Sequence, residues 1–310
     1  MPELPEVEGV RRRLEPLMTG KRIERLDVRD PKLWHAAEGL SPETVAGRTV
    51  ESITRHAKIL DFALSGDLSL LLHLKIAGQI AFQLAEGQRF LGGNPYPLPD
   101  AALPEKSTRF ALHLEDGSTL FVNDQRRFAW LRLLPSDAAK AFIAEHRFGP
   151  DPLDDTFTPP LLAERLRARK GRPLKAALLD QTCIAGIGNI YADESLHAAK
   201  LHPMMRAGDL GDAQVGSLHQ AIVDVLALAL PVGGAIVKSG RAVQDADSER
   251  DFLRAHGRAG ERCPDCGQTE IIRAFLAGRG TYFCPDCQPE PPGFVLPQTM
   301  PEAGEMRGEE

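Results

Sequence analysis

Two cysteine pairs near the C-terminal end constrain this chain more than any other feature: Cys263-Pro264-Asp265-Cys266 and Cys284-Pro285-Asp286-Cys287, with seventeen residues between them. A CxxC knuckle presents two thiolates from one tight turn. Two knuckles at this spacing can set four sulfurs tetrahedrally about one Zn²⁺ and fold the intervening residues as a β-hairpin. The competing reading is a pair of redox or disulfide-forming motifs. It fits poorly with a chain that has no apolar run of ~18 residues and no basic-then-apolar signal at its start, and that is therefore expected in the reducing cytosol. One structural zinc on Cys263, Cys266, Cys284 and Cys287 is expected, with Arg273 and Arg279 on the hairpin.

The 310 residues are long enough for two ordinary domains, each with its own core. Leu4, Val7, Val10 and Leu14 recur at spacings of three and four, which predicts an amphipathic helix over residues 3–15. From Ile23 to about Leu134, short β-branched and aromatic runs alternate with turn signals such as Ser65-Gly66-Asp67 and Asp116-Gly117. That is the pattern of a β-sandwich or barrel, with residues 87–107 as a long Gly- and Pro-rich loop inside it. Ser136 is expected to cap a helix over 136–146, and Gly149-Pro150-Asp151-Pro152 then breaks the chain. Helical periodicity follows over 160–170, 174–180, 189–200 and 214–230. The expected class is α+β: a β-sandwich with flanking helices over 1–147, a linker over 148–158, a helical domain over 159–250, the zinc ribbon over 251–288, and a disordered acidic tail over 289–310.

The net charge of −6 speaks at first against a polyanionic partner, but the tail alone sets five glutamates against Arg307. The remainder is nearly neutral, so local clusters matter more than the total. Residues 165–175 carry six cations, commonly a solvated helix face. They lead, however, into Gly186-Ile187-Gly188-Asn189, where two glycines permit tight turns and Asn189 is placed to cap the next helix at its phosphate-binding end. Cys183 reads as a small packing residue. At the opposite terminus Pro2 is small enough for Met1 to be removed, which would expose a secondary amine. An α-amino group titrates near ~7.7–8.0, so part of it is free to attack an aldehyde-like carbon and give an iminium. Equally, Pro2 and Pro5 could simply start a helix with Glu6 and Glu8 in its positive first turn.

Taken together, the PELPEVE start at residues 2–8, the IAGIGNIYADE turn at 184–194 and the four-cysteine ribbon resemble the formamidopyrimidine-DNA glycosylase family, bifunctional base-excision enzymes related to endonuclease VIII. The similarity covers about residues 2–288. It implies a helix–two-turn–helix motif in the helical domain. It also implies an enzyme that removes oxidised bases (formamidopyrimidines, 8-oxoguanine) from duplex DNA through a Schiff base, and nicks the abasic site by β,δ-elimination. Carried over by position, it makes Pro2 the nucleophile, Glu3 its acid/base partner, and Glu6 and Glu194 further carboxylates near the site. Lys58, His73, Asn189 and Arg279 match a clamp on the lesion's phosphates, and Lys175 a lysine of the DNA face. Arg126, in Asp124-Gln125-Arg126-Arg127-Phe128, would fill the vacancy left by an extruded nucleotide while Phe128 wedges between bases. Read without the resemblance, Lys58 is a surface lysine, His73 a core histidine and Phe128 a core aromatic.

Three features depart from the family's pattern. Ile76 stands where a methionine is usual, the ribbon spacer is one residue longer, and the polar segment 233–257 looks short for a lesion-capping loop. A preference for oxidised pyrimidines, as in endonuclease VIII, and a catalytically silent damage-binding module therefore remain alternatives. The expected partner is damaged double-stranded DNA, with no membrane, and the expected state a monomer in the bacterial cytosol or nucleoid.

Overall fold

In the computed structural model of the chain, residues 1–94, 101–233, 252–276 and 278–293 are described. The expected tail beyond 293, Pro97 and Pro99 of the expected loop, and most of the polar 233–257 segment lie outside them. The chain divides into two compact units, Met1–Phe148 with Leu228–Arg250, and Gly149–Ala227 with Asp251–Glu310.

The first unit opens with α1 (Leu4–Met18) and continues as ten strands: β1 (Ile23–Val28), β2 (Trp34–Ala36), β3 (Val50–His56), β4 (Ile59–Leu64), β5 (Leu68–His73), β6 (Gln79–Gln83), β7 (Arg89–Gly93), β8 (Thr108–Leu114), β9 (Thr119–Asn123) and β10 (Trp130–Pro135). They form two five-stranded sheets, β1-β8-β9-β6-β7 and β2-β10-β5-β4-β3. Alternation along each strand decides the faces. Leu60, Phe62 and Leu64 of β4, with Leu68, Leu70 and Leu72 of β5, enter one core with Ile80 and Phe82 of β6 and Val7, Val10, Leu14 and Met18 of α1. Each such fully buried side chain contributes about 1.5–3 kcal/mol. Ile59 and Leu71 face the other way and pack with Phe142 of α2 (Ser136–Glu145).

Two expectations change. Residues 89–93 of the expected loop are strand β7, paired with β6. Gly92 is not a turn signal here: a Cβ on it would lie 2.4 Å from Val10 Cγ2, so the missing side chain lets α1 sit against an edge strand. Ser136 does not cap α2; the N-cap is Pro135, and the Ser136 N–H is satisfied by the Asp67 carbonyl.

A buried ion cluster also ties α1 to the sheet. Glu8 accepts hydrogen bonds from Arg11, Arg12 and Arg55, the last at 2.9 Å from β3. Burial pushes the Glu8 carboxyl up, but the three arginines outweigh it and bring it from an ordinary 4.5 down to about 2.

The second unit carries α3 (Pro159–Arg167), α4 (Leu174–Leu179), α5 (Asn189–Ala198), most of α6 (Asp212–Ala229), and a hairpin of β11 (Ile272–Leu276) and β12 (Arg279–Phe283). The hairpin is packed on α5 rather than set apart from the helices.

Because the folded Glu8 carboxyl is depressed, its stabilisation is complete above about pH 4.5 and is lost as the pH falls toward 2. Glu8→Gln is expected to destabilise the protein by roughly 3 kcal/mol at pH 7. Thermal melts followed by circular dichroism should show the variant and parent converging as the pH is lowered below 4.5; a gap independent of pH would contradict the cluster's charge state.

Candidate active site and nucleic-acid interface

Strand register assembles one end of the first unit. Ile59 pairs with His73, and His73 with Trp130, while Gln79 of β6 pairs with Asn123 of β9. The connections that follow or precede these residues therefore share an edge: the turn at 57–58, the turn at 74–78 and the loop at 124–129. Ala57, Lys75 and Arg127, one in each connection, have positive φ values of 54°, 52° and 59°. Side chains with a Cβ avoid this region, and such strain concentrates where neighbours hold a functional geometry. Buried polar contacts brace the edge from behind, with Thr108 Oγ1 on Asn123 Oδ1 at 2.7 Å and Asn123 Nδ2 on Gln79 Oε1 at 3.0 Å.

The side chains flanking the strained residues are those singled out by sequence. Lys58 follows Ala57 and is almost wholly buried, not on the surface. Ile76 and Phe128 are 40% and 45% exposed, unusual for large apolar groups, and neither is in the core. Arg126 lies over the Phe128 ring at 5.0 Å. His73 Nδ1 accepts the Lys75 N–H at 2.9 Å. Burial first, then Lys75 and Lys58, pull its imidazole down to about 3, so it is neutral with its proton on Nε2 and can serve as a neutral donor to phosphate.

Asp124 explains how the loop displays its side chains. Its fully buried carboxylate accepts the N–H groups of Arg126, Phe128 and Ala129 at 2.9, 2.7 and 2.7 Å. Arg127 is turned the other way and clasps Asp30 through Nε at 2.7 Å and Nη2 at 3.1 Å. Neither Asp30 nor Asp124 was singled out by sequence; only the identity of a short acidic residue before an Arg-Arg pair could have hinted at the latter.

The N-terminus reaches the same group of charges. Burial lowers the pKa of the terminal amine below its usual 8.0; Glu3 and Glu6 raise it, and Lys58 and Arg126 lower it. Glu3 and Glu6 are both buried, and Glu6 Oε2 accepts the Glu3 N–H at 2.8 Å, a helix-start role that also fixes Glu3.

In the second unit the glycine turn leads into α5, but the N-cap is Gly188 and Asn189 is already helical. Its Nδ2 instead donates to the Gly280 carbonyl at 2.9 Å, next to Arg279. Gln181 braces the turn, donating to Ile187 O at 2.8 Å and accepting from the Gly186 N–H at 2.9 Å. Lys175 is not on a DNA-facing surface. It is completely buried, paired with Asp193 Oδ1 at 2.7 Å and bonded to Thr281 Oγ1 at 2.9 Å and to Gly280 O at 3.0 Å. Its charge holds the hairpin strand that carries exposed Arg279. Glu194 is likewise not a free acid: its carboxylate accepts the N–H groups of Arg254, Ala255 and His256 at 2.7, 3.0 and 2.7 Å. Burial nevertheless raises its pKa.

The four predicted thiols converge. Cys263 and Cys287 Sγ are 3.9 Å apart, Cys266 and Cys284 Sγ 3.8 Å, and all four lie within 4.8 Å of one another. Sulfurs tetrahedral about zinc at Zn–S ≈ 2.3 Å stand about 3.8 Å apart. The donor set fits one structural zinc. Among the described residues no helix is long and apolar enough to cross a membrane.

Comparison with known proteins agrees with this arrangement. The family model for the formamidopyrimidine-DNA glycosylase N-terminal domain matches residues 1–131, that for the glycosylase H2TH domain residues 148–240, and that for a zinc finger found in FPG and IleRS residues 260–289. A formamidopyrimidine-DNA glycosylase of Chloroflexus aurantiacus is 40% identical over 294 residues, 93% of this chain and 98% of the relative. One of Streptococcus pyogenes is 36% identical over 293 residues, 94% of this chain and 100% of the relative. The solved structure of the Lactococcus lactis protein with an abasic-site DNA has a TM-score of 0.79 at 32% identity, covering 93% of this chain and 100% of that one. The wild-type L. lactis protein with an N7-benzyl-Fapy-dG DNA matches equally well.

Two outcomes are expected. Purified protein should carry one zinc per chain by atomic absorption, and stripping it with a strong chelator should lower the melting temperature and weaken binding to duplex DNA; full stability without metal would contradict a structural site. Lys175→Met should cost roughly 3–5 kcal/mol by stranding Asp193, yet leave the salt dependence of DNA binding unchanged. Arg279→Ala should instead reduce that slope by about 0.9, one phosphate contact.

Proposed function

The chain belongs to the formamidopyrimidine-DNA glycosylase family, and from this we propose that it is a base-excision repair enzyme that removes oxidised purines, formamidopyrimidines and 8-oxoguanine, from duplex DNA and then nicks the abasic site. The observation that carries the reading is the start of the chain, where Pro2 is buried next to two buried carboxyl groups, Glu3 and Glu6, with the Glu3 N–H held by Glu6 Oε2 at 2.8 Å.

Once Met1 is removed, the Pro2 nitrogen attacks C1′ of the damaged nucleotide. The N–C1′ bond forms as the glycosidic bond breaks; the base departs with its electron pair and a proton, in exchange for the proton that the secondary amine loses. Glu3 protonates the ring oxygen, the sugar opens, and the nitrogen lone pair completes a cationic iminium at C1′. That iminium acidifies the C2′ proton, whose loss expels the 3′ phosphate; a second elimination expels the 5′ phosphate. Lys58, neutral His73, Asn189 and Arg279 are each assigned to the phosphate backbone of the DNA. Arg126, Phe128 and Ile76 are assigned to the space left in the duplex, which suits the exposure of the last two. Glu6 fixes the helix start, and Lys175 and Glu194 support the elements that carry phosphate contacts rather than touching DNA. One chain supplies every part, so we assign a monomer acting in the bacterial cytosol.

Borohydride trapping tests the reading. Met1-processed protein should form a covalent product with duplexes containing 8-oxoguanine or a formamidopyrimidine, and Pro2→Gly should lose it. Trapping only on oxidised pyrimidines would move the preference toward that of endonuclease VIII, and tight binding with no covalent product would leave a damage-binding module.

A further inference from the structure

Glu8, Arg55 and Ala57 form a line of buried contacts that the proposed chemistry leaves unused. Arg55 Nε donates to Glu8 Oε2 at 2.9 Å, and Arg55 Nη1 donates to the Ala57 carbonyl at 3.0 Å. That carbonyl belongs to the peptide joining Ala57 to Lys58. Ala57 itself is held at a φ of 54°, where a Cβ is disfavoured. Glu8 is the fifth residue of α1, whose N-cap, Glu3, directly follows Pro2. We infer that Glu8 and Arg55 are positioning residues that fix the Lys58 peptide relative to the N-terminal nucleophile.

Docking the helix accounts for the Arg55–Glu8 bond but not for the bond onto the turn. α1 is already attached to the sandwich by Val7, Val10, Leu14 and Met18. Nor does Glu8 require Arg55 for neutralisation, since Arg11 and Arg12 both bind its carboxylate, at 2.9 and 2.8 Å. What Arg55 adds is the second bond, onto the turn. A planar guanidinium can span the carboxylate and the carbonyl together, whereas an ammonium is a single point charge and cannot reproduce that fork. The line runs from the helix that carries the nucleophile to the residue that carries the cation, and the backbone it grips is one that would otherwise relax.

The inference rests on the assignment of Pro2 and Lys58 above. Its test is single-turnover borohydride trapping on abasic duplex at saturating protein, with melting temperature and DNA affinity measured alongside, for Arg55→Gln, Arg55→Lys, Arg55→Gln with Ala57→Gly, and the controls Pro2→Gly and Lys58→Gln. Arg55→Gln and the milder Arg55→Lys should each slow trapping by roughly tenfold or more, the scale set by small displacements of catalytic groups, with DNA affinity retained. Adding Ala57→Gly removes the turn's strain and should restore the melting temperature while trapping stays slow. Trapping at the parental rate in both Arg55 variants would overturn the inference, as would recovery of the rate together with stability in the double variant. If Lys58→Gln trapped like the parent, the assignment of Lys58 would fall; slow trapping in Lys58→Gln beside normal trapping in Arg55→Gln would overturn only the positioning role.

Discussion

Antiparallel register is the constraint on which the first unit depends. Because Ile59, His73 and Trp130 stand in one row across β4, β5 and β10, the connections at 57–58, 74–78 and 124–129 emerge at one edge. That register is not free to slip. Moving β4 by one residue would turn Leu60, Phe62 and Leu64 out of the core and bring Asp61 and Ala63 in. The apolar pattern that makes the sandwich thus also fixes which turns meet, and the chemistry inherits its geometry from the packing.

Each of these connections is held by a buried polar group in a shape it would not take alone. The Asp124 carboxylate gathers three N–H groups so that Arg126 and Phe128 point outward. The Arg127–Asp30 clasp absorbs the strained residue between them. His73 anchors the Lys75 N–H, and Arg55 anchors the Ala57 carbonyl. An exposed phenylalanine such as Phe128 or a buried lysine such as Lys58 has little to recommend it energetically by itself. The surrounding hydrogen bonds make these placements tolerable, and they put stiffness at the three connections.

The second unit solves a related problem differently. A short two-stranded hairpin is marginal in water, and here it is clamped twice. At one end four thiols converge on a zinc-sized site. Near its tip, Lys175 and Asn189 both grip the Gly280 carbonyl, and Asp193 neutralises the buried lysine. Arg279 stays exposed beside the Gly280 carbonyl that these two side chains hold.

Much of this was legible in the residues. The zinc ligands followed from spacing alone, since two CxxC turns leave little freedom in how four thiolates can meet. The sandwich and the helices followed from periodicities of two and 3.6, and the resemblance to a glycosylase family supplied the candidate residues. What composition and spacing could not supply were roles set by contacts between distant positions. Residues 89–93 read as loop because nothing in the sequence shows Val10 lying against Gly92. Asn189 read as a cap, and Lys175 and Glu194 as groups turned toward substrate, because burial and the partners at 254–256 and 280–281 are properties of the assembled unit. The sequence by itself determined most of the elements, because those depend on local periodicity and residue type, and its resemblance to a family supplied the chemistry. Only the tertiary structure decided which charged groups face outward and which are spent holding the frame, because burial and hydrogen-bond partners are settled by residues far apart in the chain.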